Sequence, residues 1–207
     1  MNGTFFYIGL GLGLAAACGL RPFLPLLLAG ALASADALGV SFAHGGFQFL
    51  EQSWWLLIVT VALVMAYALQ LLLGLAPTID SRSETAAAPL AAAITGLAYG
   101  AGAVLFAGTL ADHGDAWWPG LIGGGLAAAL AQAASGPVIA GARKRLPDRA
   151  AREALTVYLD AAAAVVAAVV ALVHPLGYVV IAVLAWFVLR RRARAGEKYA
   201  GLRILRR

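Results

Sequence analysis

What this chain lacks narrows it before any motif is read. It has a single cysteine, Cys18, so it forms no intrachain disulfide and no thiolate metal cluster. Only 12% of its 207 residues are charged, where a soluble domain carries about 25%. Of its three histidines, His44 lies in a Gly-rich loop with no ligand partners at metal spacing, and His113 and His174 lie at loop edges where a solvated side chain is expected. There is no GxSxG elbow, no HExxH, no phosphate-binding P-loop and no paired acid–base motif. Neither an enzymatic activity nor a cofactor is therefore expected.

What the chain does have is apolar surface. Hydrophobic residues make up 62% of it, and the mean hydropathy is +0.86. A soluble globule of this size has too little polar residue to cover that much apolar side chain. A water-soluble enzyme, a disordered tail and a secreted disulfide scaffold are all excluded. The expected class is an all-α polytopic membrane protein.

A crossing helix needs about 20 apolar residues. Six segments qualify as candidates: Phe5–Ser34, Trp54–Ala76, Ala87–Leu110, Trp117–Ala142, Glu153–Val173 and Leu176–Leu189, the last short and preceded by Pro175. The charge pattern orients them. The net charge is +5, and fourteen of the fifteen basic residues fall at Arg82, between Arg143 and Arg152, or from Arg190 to Arg207. The opposite loops hold Asp36, Glu51, Asp112 and Asp115 and no Lys or Arg. By the positive-inside rule, six crossings put both termini in the cytoplasm of a cell inner (plasma) membrane protein. The basic tail, 193–207, meets anionic lipid head groups. No aromatic–basic platform accompanies the charge, so no nucleic-acid partner is expected. Met1-Asn2-Gly3-Thr4 has no basic n-region, so the first segment reads as a retained membrane segment.

The chain also resembles itself. Gly13-Leu14-Ala15-Ala16-Ala17 recurs as Gly125-Leu126-Ala127-Ala128-Ala129, with Pro25 matching Pro137 and Pro77 matching Pro175. Two membrane repeats are expected, 1–111 and 112–192, each of three segments. An odd number of segments inverts the second copy, an arrangement that recurs in secondary transporters together with helices broken near the midplane.

Two breaks are expected. The first is at Gly19-Leu20-Arg21-Pro22, where proline removes a backbone donor and glycine relaxes the chain. Pro22 suits the first turn of a new half-helix, whose free N–H groups favour anions. Arg21 sits at that junction, at a depth where an arginine costs at least about 2.5 kcal/mol. The second is at Ser135-Gly136-Pro137, with Ser135 capping the half-helix. Converging half-helix ends, with Arg21, would make a positive pocket suited to phosphate, carboxylate or another anion, and not to a metal. A rival geometry makes each long segment a re-entrant hairpin, leaving four crossings and Arg82 outside.

Other polar residues lie in apolar surroundings. Asp160 is the only acid well inside a candidate span, and it either pairs with Arg21, carries a proton, or meets Arg149 or Arg152 at the interface. Gln70 and Gln132 are buried amides of the kind that bind helices together. Gly96 and Gly100 form a small-xxx-small pair that permits close packing or a homo-oligomer. The candidate site is thus Arg21, Pro22, Ser135, Gly136, Asp160, Gln70 and Gln132.

The stretch from Gly11 to Leu26, GLGLAAACGLRPFLPL, resembles the opening of the DUF4126 family of uncharacterised bacterial membrane proteins. The likeness continues through Pro77, Asp80-Ser81, Pro89, Gly125-Leu126-Ala127, Asp160, Pro175 and the basic tail. The resemblance implies a membrane location and no established activity. Family members carry acids near the end of the second span, where this chain has Gln70 and Gly74.

Two functions are weighed. One is a small transporter or channel for an anionic solute or lipid phosphate, with its site at the two breaks. The other is a non-transporting structural or assembly subunit. A hydrated pocket shared by Arg21 and Ser135 favours the first, and a dry Arg21–Asp160 pair favours the second.

Overall fold

The computed structural model describes residues 3–72, 81–146 and 148–204; side chains are described for these except at 70–91, 144, 149 and 194–204. Among the described residues there are seven α-helices and no strand: α1 (Thr4–Leu20), α2 (Phe23–Ser34), α3 (Ser53–Leu72), α4 (Ser81–Asp112), α5 (Trp118–Arg145), α6 (Arg149–Leu172) and α7 (Leu176–Ile204). A short 3-10 turn, Gln48–Glu51, precedes α3.

Helix α1 is the core. Tyr7 and all but one of the residues from Gly9 to Gly19 are buried, and α4, α5, α6 and α7 all pack on it. Its Gly/Ala sequence makes that possible. A Cβ on Gly19 would lie 2.3 Å from the Ala128 carbonyl oxygen of α5, and one on Gly177 would lie 1.8 Å from that of Gly9. Small residues let backbones touch where lipid gives no hydrophobic drive to helix association. Leu10, Leu14, Phe42, Leu50, Leu105 and Val170 fill the space between.

Around this core the bundle shows apolar side chains outward. Leu57, Val61, Val64 and Met65 of α3, Leu126 of α5, Val165 and Leu172 of α6 and Val183 and Leu189 of α7 are all exposed. So large an apolar exterior suits lipid and not water. Among the described residues three helices are long and apolar enough to cross a membrane, over Ala92–Asp112, Trp118–Arg143 and Ala150–Leu172. The apolar helices Thr4–Leu20, Phe23–Ser34 and Ser53–Leu69 are shorter.

Between α1 and α2 the chain turns at Arg21 and Pro22. Arg21 is extended (φ −156°, ψ 124°), the conformation forced on a residue before proline. Its N–H still closes α1 on Ala17, and Leu26 N–H opens α2 on the Pro22 carbonyl. The direction of the two helices follows from their open ends. At the start of α1, the Tyr7 hydroxyl donates to Asp115, Tyr7 stacks on His113, and the Tyr178 hydroxyl donates to the Phe5 carbonyl. At the end of α2, the Ser34 hydroxyl donates to the Glu51 carbonyl. The loop that follows meets the same end of the bundle, since Ser41 and the His44 N–H donate to Asp112 and the His174 ring bonds the Leu38 carbonyl. Thus α1 and α2 form a hairpin. Both open ends lie at one end of the bundle, the loop end, and the bend lies inside it.

Two expectations are corrected here. The first segment does not run through the bundle as one rod, and the first turn of α1 and the stretch of α7 beyond Arg190 lie at opposite ends of it. The break expected at Ser135-Gly136-Pro137 is absent, because α5 is continuous from Trp118 to Arg145 with Pro137 inside it. Proline forfeits one backbone bond, and neighbouring helices and hydroxyls tolerate that loss in such a setting. The Ser135 hydroxyl donates to Ala131 O at 2.7 Å, within its own helix, instead of capping a new one. The second half therefore does not reproduce the first at its leading segment, and the six-span inverted repeat is not seen.

Candidate functional site

The bend of the hairpin meets α6 at its midpoint. Arg21 Nε lies 3.3 Å from Asp160 Oδ1, with the two side chains 14% and 7% exposed. The other carboxylate oxygen accepts the Tyr67 hydroxyl from α3. One turn before Asp160 on the same face of α6, Thr156 accepts a hydrogen bond from Arg143 Nη2 of α5 at 3.3 Å and donates to Arg152 O at 3.2 Å. Arg143 Nε is buried with no hydrogen-bond partner among the described residues.

Five elements converge here: the hairpin bend, α3, α4, α5 and α6. A cavity of ≈ 10 Å³, room for about one water, lies between Arg21, Phe23, Leu63, Ala66, Tyr67, Ile94, Thr156 and Asp160. Phe23, the first residue of α2, is among the residues that line it.

Arg21 and Asp160 are thus brought together, with Pro22 buried beside them as the α2 N-cap. Ser135, Gly136 and Gln132 lie on α5 and do not line the cavity. The side chain of Gln70 is outside the described residues. Three members of the cluster were missed by sequence reasoning. Thr156 is four residues before Asp160, a helical spacing that points both side chains the same way. Tyr67 is a hydroxyl in an otherwise apolar stretch. Arg143 was counted with the cytoplasmic charges, yet its side chain reaches back into the bundle.

The loop end holds the three histidines. His44 pairs with Asp112 at 3.1 Å, His113 bonds the Thr109 carbonyl at 2.9 Å, and His174 reaches Leu38. Each fastens a loop, and among the described residues no group of His, Cys, Asp and Glu is arranged to hold a metal ion.

An all-helical membrane protein built round a buried Gly/Ala helix, with charged groups at its centre, is the class these features define. The profile of a domain of unknown function, DUF4126, matches residues 8–194. The chain belongs to that family. No curated protein and no solved structure matches it.

Proposed function

We propose that this protein is a small transporter or channel of the cell inner (plasma) membrane whose site takes an anionic group, either a small anion or a lipid phosphate. The observation that carries the reading is a charge imbalance. Beside the Arg21–Asp160 pair a second guanidinium, Arg143, bonds Thr156 one turn along α6, and its buried Nε has no hydrogen-bond partner among the described residues. An uncompensated cation in the hydrocarbon is costly, and it marks a ligand or ion pathway more often than packing. The tight Arg21–Asp160 pair is then the closed, unloaded state.

In this reading α3 to α7 cross the bilayer and the α1–α2 hairpin enters and leaves from the loop end. Non-helical backbone at such depth is tolerated where protein or a water-filled cavity surrounds it. The charge pattern supports placing the loop end outside. Arg190 and Arg191 stack over Trp186 and Phe187 at 4.9 Å and 5.8 Å at the other end, as interfacial anchors do. Exposed Trp54, Trp117 and Trp118 rim the loop end. The N-terminus is then outside and the basic tail inside, against anionic lipid. The reading assigns no catalytic step and no cofactor.

Two observations favour the structural-subunit reading: the closed Arg21–Asp160 pair beside a cavity of ≈ 10 Å³, and the position of Ser135 outside that cavity. Reconstitution separates the two. Liposomes containing the protein are expected to pass nitrate, or to flip a phosphate-headed lipid, faster than empty liposomes, and Arg21→Lys is expected to slow this because lysine lacks the fork of donors. Folded wild-type protein that moves neither would overturn the transport reading and leave the structural one.

A further inference from the structure

We propose that two copies of this chain pair in the membrane through one face of α5, with their Gln132 amides bonded to each other across a two-fold axis. The argument starts from an unpaired polar group. Gln132 lies near the midpoint of Trp118–Arg143, the part of α5 long and apolar enough to cross a membrane. Its side chain is half-buried and makes no hydrogen bond among the described residues. An amide of this kind binds helices together, yet no helix of this chain supplies its partner. Left unbonded in hydrocarbon, it is costly.

The glycines of α5 separate its two sides. A Cβ on Gly120, Gly123 or Gly124 would run into Ala107, Phe106 or Gly102 of α4, so that side is packed. A Cβ on Gly125 or Gly136 would meet nothing within 4 Å. Gly125, Ala129, Gln132 and Gly136 follow one another at four, three and four residues, which puts them on one stripe of the helix. Ala129 is half-buried like Gln132, and Ala133 beside the stripe is exposed. The stripe has room at both glycines for a second backbone, and close helix contact in a membrane uses such small residues.

The amide selects the occupant. A lipid tail can fill the space at Gly125 and Gly136 but offers Gln132 neither a donor nor an acceptor. A second copy brings both. Copies of one membrane protein share a topology, so a two-fold axis along the membrane normal sets the two Gln132 side chains at the same depth. A carboxamide has an acceptor oxygen and a donor nitrogen, so two of them satisfy one another reciprocally. The Gly96 and Gly100 face of α4 is equally open, but it has no amide to pair.

The experiment uses the full chain in phosphatidylcholine liposomes over a range of dilution. Association is read by energy transfer between copies labelled at Arg192→Cys. The face is read by oxidising Ala129→Cys with copper phenanthroline, with Cys18 buried and silent. Wild-type chains should associate, and Ala129→Cys should crosslink whereas Leu57→Cys, exposed on α3, should not. Gln132→Leu should raise the dissociation constant about tenfold, the effect of two interhelical hydrogen bonds of average strength. Gln132→Asn, which keeps an amide, should lose less. Gly125→Leu/Gly136→Leu, which fills the open side, should abolish association. The diluted, single Gln132→Leu chain should unfold at the same temperature as the single wild-type chain, because the amide bonds nothing within it. A loss of stability there would place the partner of Gln132 inside the chain and overturn the proposal. Wild-type chains that stay single would overturn it too, as would association unchanged in both α5 variants, which would put the interface elsewhere, as at Gly96 and Gly100.

Discussion

Arg21 and Asp160 lie 139 positions apart in the chain, yet Nε of one sits 3.3 Å from a carboxylate oxygen of the other, at the bend of a hairpin and the midpoint of α6. Both side chains are largely buried. Removing one partner strands the other, and for buried pairs that loss costs about 3–5 kcal/mol. Arg21→Ala is therefore expected to lower thermal stability markedly. Arg21→Ala/Asp160→Ala should recover most of it, because a neutral pair of small residues leaves no charge behind. Unfolding of the three proteins in one detergent tests this, with non-additivity as the signature. Under the transport reading the recovered double variant still fails to bind nitrate.

Tyr67→Phe isolates the third member of the cluster. The hydroxyl donates to the charged oxygen of Asp160 that Arg21 does not hold. Hydrogen bonds to charged groups contribute about 1.5–3 kcal/mol, and the ring itself remains packed. A stability loss in that range is expected, and it should shrink in an Asp160→Asn background, where the acceptor is neutral. An equal loss in both backgrounds would mean that the ring, and not the bond, carries the effect.

Much of this architecture was legible in the residues. The apolar segments and the break at Arg21-Pro22 follow from local chemistry, and the pairing of Arg21 with Asp160 was one of the alternatives the residues offered. What was not legible depends on depth and direction. Thr4–Leu20 and Phe23–Ser34 total enough residues for one long crossing, and nothing in their composition separates a bent span from a hairpin. That difference is decided by remote contacts, Tyr7 with Asp115 and Leu38 with His174. Pro137 looked like Pro22 in sequence. Arg21-Pro22 follows a helix end and turns the chain, whereas Pro137 lies within a helix that α1, α4 and α7 support from the side. The repeat of Gly-Leu-Ala-Ala-Ala marks two helices that need small residues for the same reason, since Gly19 of one touches Ala128 of the other. It does not mark a second hairpin.

Glycines sort by contact. At Gly177 an added methyl group meets the Gly9 carbonyl oxygen at 1.8 Å, backbone against backbone with nothing to swing aside. Gly177→Ala is expected to cost about 1–3 kcal/mol, as overpacking does. Gly100→Ala meets nothing within 4 Å, and its stability should change by no more than about 0.5 kcal/mol. Scanning fluorimetry reads both. If Gly96 and Gly100 hold two copies together, Gly96→Leu/Gly100→Leu should leave the folded monomer intact and abolish crosslinking between copies in the membrane.

Topology gives the remaining prediction. Cys18 is fully buried, so the native chain gives little background to a membrane-impermeant thiol reagent. Single cysteines placed at Gly3, His44 and Asp115 all sit at the loop end, whereas Arg192→Cys sits beyond the last apolar turn of α7. A hairpin entering from the loop end requires Gly3→Cys to label from the same side as His44→Cys and Asp115→Cys, and from the opposite side to Arg192→Cys. With the basic residues inside, the first three should label in intact cells and the fourth only after permeabilisation. A first segment that crosses would move Gly3→Cys to the side of Arg192→Cys and leave the other two where they are. The position of that one cysteine relative to His44→Cys therefore decides between five crossings with a hairpin and six without one.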